Sequence, residues 1–277
     1  MNNSLYYLFA FILISMLSCK NSDETFDSVP DFPDKTLIYK LSALYDSTSQ
    51  GRMELEYNAN GKVSRVYEVA PELERETAMN YKYDNNCVYT HIKQVSKYNN
   101  PPKWENTDTI YLKDGIADSC SGVFDYYARN KVPYYIKYEY DSENRMTSMK
   151  IVYPPRHISY ERERVENYSL EWEGDNIKRI TGTNPQSFEY IYEYYDNSAI
   201  PSHYVQRHPV LVHHQPLIEE NVFGKKSSHL IYSEKRGENS IIIYDYEYAN
   251  NYVNAININY NNGTDICKMS LKWVLLE

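Results

Sequence analysis

The chain has 277 residues, a formal charge of −9 and an isoelectric point near 5.4. Its Lys and Arg are spread rather than clustered, so neither nucleic acid nor an anionic lipid surface is an expected partner. The length suits one large all-β domain once short terminal segments are set aside.

Leu5 to Leu17 is an apolar run too short to cross a bilayer as a helix, but suited to the hydrophobic region of a secretory signal. Ser18 and Cys19 follow at once, and Met16-Leu17-Ser18-Cys19 resembles a bacterial lipobox. Two features depart from the usual pattern: Met16 stands where Leu is common, and residues 1–4 hold no Lys or Arg. The reading is a signal peptide over 1–18 and acylation of Cys19, with that lipid as the membrane anchor. Residues 19–36 are polar, contain Pro30 and Pro33, and read as a flexible tether. Asp23-Glu24 also resembles the signal that exports lipoproteins of the Bacteroidota to the cell surface, although a solvated linker explains the same residues. The expected location is the outer membrane, on its cell-surface or periplasmic face.

From residue 37 onward the pattern is repetitive. Tyrosine dominates, with 31 copies against 9 Gly and 7 Phe. Leu55-Glu56-Tyr57 leads through Asn58-Ala59-Asn60-Gly61 to Val63 and Val66. Tyr138-Glu139-Tyr140 leads likewise through Asp141-Ser142-Glu143-Asn144 to Met146 and Met149. Leu170-Glu171-Trp172 and Tyr246-Glu247-Tyr248 open further copies, and Tyr81-Lys82-Tyr83 and Tyr111 mark weaker ones. Tyr190 to Tyr194 reads as a first strand whose turn runs into a longer loop. Period-two alternation sends one side-chain set to a core and the other to water. Asn, Asp and Gly supply the left-handed conformations of tight turns. Each unit of roughly 27 residues is therefore a predicted hairpin that must stack on its neighbours. The interval from Tyr194 to Tyr248 is about twice as long, as if one copy were interrupted or lost. Ala70 to Met79 has helical propensity but equally suits an acidic hairpin loop. From Ile200 to Asn221 the alternation stops, and Pro201, Pro209 and Pro216 imply a loop. The expected fold class is all-β, with antiparallel β-hairpin repeats over 37–277 forming a twisted, curved sheet or partly closed shell.

These Tyr-x-Tyr-Asp/Asn units resemble the YD-type hairpin repeats of Rhs-like shells. The whole arrangement is similar to a family of Bacteroidota lipoproteins built from such repeats. The resemblance is carried by Ser18-Cys19, Tyr138 to Met149, Tyr192 to Asp196, Phe223 to Ser228 and Tyr244 to Ile256. It implies a fold and brings no activity with it. The chain lacks the strict regularity of Rhs shells and is too short to enclose a cargo.

Candidate chemistry is sparse. If Cys19 is acylated, Cys87, Cys120 and Cys267 remain, and an odd number permits at most one internal disulfide. Cys87 and Cys120 are the nearest pair; three buried thiols are the alternative. His203, His208, His213 and His214 fall within one proline-rich loop, where imidazoles could converge on a metal, although their spacing matches no helical ligand pair. The plain alternative is a solvated loop. Glu56, Glu139, Glu171 and Glu247 recur at one slot of the repeat, as solvated strand positions do. Trp104, Tyr126, Tyr127, Tyr134 and Tyr135 are the ligand-binding candidates, because adjacent residues of a strand face opposite ways and cannot share one core. No cofactor is expected. The expected role is a non-catalytic envelope module that binds a glycan or a protein. The alternatives are a glycan hydrolase or metal-dependent hydrolase using the 201–220 loop, and a purely structural envelope component.

Overall fold

The tyrosine-rich units fold as the hairpins their alternation implies. The computed structural model describes residues 39–46, 51–71, 75–96, 99–126, 130–155, 163–183, 187–196, 211, 214, 217–218, 220–237, 240–249, 252–260 and 265–275. Cys19, the signal segment and the tether lie outside the described residues. Among the described residues the strands are β1 (Tyr39–Asp46), β2 (Arg52–Tyr57), β3 (Val63–Ala70), β4 (Arg75–Tyr83), β5 (Cys87–Ser96), β6 (Asn99–Lys113), β7 (Ile116–Tyr126), β8 (Asn130–Tyr140), β9 (Met146–Tyr153), β10 (Arg164–Glu173), β11 (Asn176–Thr183), β12 (Ser187–Tyr194), β13 (Ile231–Arg236), β14 (Ser240–Ala249), β15 (Tyr252–Tyr260) and β16 (Asp265–Leu275). Of the ambiguous stretch Ala70 to Met79, Ala70 ends β3 and Arg75 to Met79 belong to β4, while residues 72–74 lie outside the described residues.

Each strand runs antiparallel to its sequence neighbours, and β1 also pairs with β16 from Tyr39↔Leu275 to Asp46↔Met269. That pairing takes the sheet beyond a partly closed shell to a closed barrel, which leaves no unpaired edge. Side chains sort by face. Leu55, Val66, Val88, Ile110, Met149, Leu170, Ile180, Tyr246 and Ile256 are buried in the interior. Glu56, Lys93, Lys137, Glu139, Lys150, Glu171 and Lys235 stand exposed on the outer wall. Membrane-spanning barrels have the opposite polarity, and a Lys or Arg on the lipid face at mid-bilayer costs about 2–4 kcal/mol.

Turn chemistry explains the hairpins. Asn58 Oδ1 accepts the amides of Asn60 and Lys62, both at 3.0 Å, and Asp141 Oδ1 accepts those of Glu143 at 2.9 Å and Arg145 at 3.0 Å. Gly61 and Asn144 occupy equivalent left-handed positions, with φ of 70° and 60°. Beside most of the hairpin ends the ladder slips by one residue, at Glu56/Tyr57, Glu139/Tyr140, Glu171/Trp172, Glu193/Tyr194 and Glu247/Tyr248, whereas β4 and β5 pair without a slip up to Tyr83↔Val88. In β6 the slip lies at Tyr111/Leu112, so Leu112 takes the anchor slot expected of Tyr111, which is exposed. The bulge re-aims the anchor toward the preceding hairpin. Tyr140 Oη donates to the Ala117 carbonyl at 2.8 Å, Trp172 Nε1 to that of Met146 at 2.8 Å, and Tyr194 Oη to that of Ile177 at 2.7 Å. Successive hairpins are thereby stitched together at the turn end.

In the long interval after Tyr194 a copy is interrupted, as one of the two expected alternatives had it. β12 and β13 are one hairpin, paired from Tyr190↔Arg236 to Tyr194↔Ile231, with an insertion in place of a tight turn. Leu211, Leu217, Ile218, Val222 and Phe223 of the insertion are buried in the core cluster. Phe223 meets the Tyr138 ring edge-on at 5.3 Å, and the Ala117 amide donates to the Val222 carbonyl at 2.7 Å. The Lys225 amide donates to Asn144 O at 2.7 Å, and the Ser228 and His229 amides to Asn176 Oδ1, both at 3.0 Å. The described residues of the insertion thus pack against the turn end and fill the interior there.

Candidate functional site

Within the charged outer wall, two neighbouring rows across β4 to β8 are mostly uncharged. There the register sets Lys82, Tyr89, Thr109, Ser121 and Tyr135 in one outward row across five strands. The next outward row is Asn80, His91, Thr107, Val123 and Pro133. Small side chains on β6 and β7 lie between Tyr89 and His91 on one side and Pro133 and Tyr135 on the other. The result is a groove of about 560 Å³, within the roughly 300–1,000 Å³ common for ligand sites. Its two walls stand three strand intervals apart, about 14 Å between backbones. Tyr89 and Tyr135 are 40% and 57% exposed. Tyr111, also exposed, bonds Ser121 Oγ through its hydroxyl at 3.2 Å and extends the aromatic surface.

Directly behind the groove, the inward row is Tyr81, Thr90, Asp108, Gly122 and Tyr134. Asp108 Oδ2 accepts from Thr90 Oγ1 at 3.2 Å and Asn106 Nδ2 at 3.1 Å, and Tyr134 Oη donates to Oδ1. Tyr134 reaches Asp108 over Gly122; a Cβ there would lie 2.2 Å from Asp108 Oδ1 and 2.3 Å from Tyr134 Cζ. This network ties β5, β6 and β8 together across Gly122 of β7, directly behind the middle of the groove. Burial pushes the Asp108 carboxyl up to about 6, against the pull of its three hydrogen bonds. His214 Nε2, from the insertion, lies 3.5 Å from Asp108 Oδ2, and burial pushes the imidazole down to about 4. At neutral pH the carboxylate is charged and the imidazole neutral.

The arrangement offers aromatic rings for stacking and hydroxyl groups for hydrogen bonding. The carboxylate among the described residues lining the groove region is Asp108, and its side chain is turned inward. Among the described residues, no three His, Cys, Asp or Glu converge as a metal site.

The sequence candidates are divided by the strands. Tyr135 lines the groove, whereas its neighbour Tyr134 belongs to the inner network. Trp104 is buried against Phe124, with ring centroids 5.5 Å apart, and is no surface platform. Tyr126 pairs with Trp104 in register, and Tyr127 lies outside the described residues. His214 is buried, not solvated, while His203, His208 and His213 lie outside the described residues. Cys87 and Cys120 do not pair: β6 lies between their strands, and Cys87 neighbours outward Tyr111 whereas Cys120 neighbours inward Ile110. A disulfide needs Cα atoms about 4.4–6.8 Å apart, less than two strand spacings. Cys267 is a buried thiol whose Sγ donates to Asp46 Oδ1 at 3.4 Å.

Sequence reasoning missed Tyr89, Lys82 and the hydroxyl floor. The signal was present in Asn106-Thr107-Asp108-Thr109-Ile110, where the acid takes the inward slot and threonines take the outward slots that charges fill elsewhere.

Two crystal structures share this architecture. A porin-like protein from Bacteroides uniformis is 13% identical, with a TM-score of 0.56 over 90% of this chain and 100% of that one. A porin-like protein from Bacteroides vulgatus is 14% identical, with a TM-score of 0.58 over 85% and 99%. No family model and no curated protein sequence matches the chain. At such identities the likeness concerns the fold, and the charged outer wall and apolar interior of this barrel stand as its own properties.

Proposed function

We propose that this protein is a lipid-anchored envelope module of the Bacteroidota repeat-lipoprotein type, whose barrel stands in water and binds a glycan without cleaving it. Cys19 carries the acyl anchor, residues 19–36 are the tether, and the barrel presents the β4–β8 groove as the binding surface. The observation that carries this reading is the pair of exposed tyrosines, Tyr89 and Tyr135, facing each other across a floor of Thr107, Thr109 and Ser121. Aromatic rings stack on the apolar faces of sugars, and hydroxyl side chains exchange hydrogen bonds with sugar hydroxyls. The charged outer wall supports a barrel outside the bilayer.

A glycan array probed with residues 20–277, followed by calorimetry on the best ligand, tests the reading. Tyr89→Ala with Tyr135→Ala should weaken binding at least about tenfold, the equivalent of roughly 1.4 kcal/mol, with the melting temperature unchanged. Equal binding by the double variant would remove the groove from consideration. The anchor is tested separately: Cys19→Ala should move the protein from the membrane to the soluble fraction or leave its signal uncleaved.

A further inference from the structure

The groove differs from the rest of the molecule in charge. The chain as a whole carries −9, yet the outward titratable side chains lining the groove, its tyrosines aside, are Lys82 and His91, and Asp108 is turned to the interior. His91 is engaged by Glu105. Lys82 is exposed, sits in register beside Tyr89, and among the described residues enters no ion pair. On the outer wall Lys137 pairs with Asp118 at 2.5 Å, Lys178 with Glu173 at 2.6 Å and Lys268 with Glu247 at 2.5 Å, while Lys93, Lys150 and Lys235 also enter no ion pair among the described residues but do not line the groove; Lys82 is the lysine that does.

We propose that the groove takes an anionic oligosaccharide, one bearing carboxylate or sulfate groups, with a sugar ring against Tyr89 or Tyr135 and an anionic group at the Lys82 ammonium. This inference rests on the glycan reading of the groove. An ammonium is a compact, strongly hydrated charge, so a neutral sugar gains little there that water does not offer, whereas an anion gains an ion pair. The surrounding acidity makes such a local cation selective, because an anion is repelled from most of the remaining surface. Thr107, Thr109, Ser121 and Asn80 are left for the sugar hydroxyls.

Calorimetric titration of residues 20–277 with oligogalacturonate, a chondroitin sulfate oligosaccharide and a neutral galactan oligosaccharide of equal length tests it. At least one anionic ligand should bind more tightly than the neutral one. Lys82→Met should weaken that ligand about two- to fivefold, as loss of an exposed ion pair does, and should leave neutral binding unmoved. Carboxylate and sulfate ligands tell the two anion chemistries apart. If the neutral oligosaccharide binds as tightly as both anionic ones and Lys82→Met shifts none of them, the anionic assignment is wrong while the groove stands. If no oligosaccharide binds, or Tyr89→Ala with Tyr135→Ala leaves binding intact, the groove reading itself fails.

Discussion

The barrel interior holds buried carboxylates in two different settings. Glu166 receives Arg164 Nη2 at 2.7 Å and Tyr168 Oη at 2.7 Å, and the Arg164 guanidinium lies 5.3 Å from the Tyr153 ring centroid. Glu234 repeats the design with Arg236 Nε at 2.7 Å, Tyr244 Oη at 2.8 Å and the Tyr190 ring at 5.5 Å. In both, carboxylate and guanidinium sit two residues apart on one strand and share one face. Asp108 has no such cation: its donors are Thr90, Asn106 and Tyr134, with neutral His214 beside it. The first setting is balanced within itself and needs only its own strands. The second holds a charge with neutral groups alone, couples the inserted plug to the wall, and lies directly behind the groove. One region is built to be inert, and the other makes the groove backing responsive to pH and to small steric changes.

The largest effect should come from unbalancing the inert setting. Arg236→Met leaves Glu234 buried without its cation, which costs about 3–5 kcal/mol. Urea unfolding should show that loss, while glycan binding by the folded fraction stays as in the parent protein. A loss below about 1 kcal/mol would mean the carboxylate is far better solvated than the 4% exposure of Glu234 implies.

Next in size are the opposed pH responses at Asp108 and His214. The Asp108 carboxyl rises from 3.8 to about 6 on folding. The folded state therefore holds its proton more tightly, and this group adds stability as pH falls from about 6 toward 3.8. His214 falls from 6.5 to about 4. The unfolded chain takes up that proton first, so this group removes stability as pH falls from 6.5 toward 4. Each shift corresponds to about 3 kcal/mol over its full window. In the parent protein the two trends largely offset between pH 4 and 6. Relative to it, Asp108→Asn should lose stability on acidification and His214→Gln should gain it. Parallel trends in the two variants would show that these groups do not titrate as a buried, opposed pair.

Gly122→Ala sharpens the same contrast from the steric side. The added methyl would overlap Asp108 and Tyr134, and overpacking of this kind costs about 1–3 kcal/mol. Because the groove floor lies on the other side of the same strands, glycan affinity should fall too. Stability lost with affinity intact would detach the inner network from the groove.

How far these settings could be read in the sequence follows from the range of the interactions. The hairpins were legible because period-two alternation and Asn/Asp turns act within a few residues of each other. Barrel closure was not, since β1 meets β16 from opposite ends of the chain and neither strand carries a local sign of its partner. Anchoring the third hairpin at Tyr111 missed by one residue, because the bulge placed Leu112 in that slot. The groove needs the register of five strands at once, so Tyr135 could be named while Tyr89 and Lys82 could not. His214 shows the reverse error: proline-rich surroundings suggested a solvated loop, but Leu217, Val222 and Phe223 carry the segment into the core.

The smallest effects belong to the turn-end stitching and the outer wall. Tyr140 and Tyr194 are half-buried, and their hydroxyls bridge to the preceding hairpin through Ala117 and Ile177. Tyr140→Phe and Tyr194→Phe keep the ring and remove the bridge, with Tyr194→Phe also losing a 3.3 Å bond to Ser227 Oγ, so the cost should be about 0.5–1.5 kcal/mol for each bond lost. Glu139 and Glu171 precede such anchors but point outward, where Glu139 holds Ser148 Oγ at 2.7 Å and Glu171 faces Arg179 at 3.6 Å. Their replacement by Ala should stay within about 0.5 kcal/mol, the usual range for exposed strand positions. The ordering carries the argument: if the glutamate variants lose as much as the phenylalanine ones in urea, the outer charges contribute to the fold, and the wall is not the solvated surface that its polarity implies.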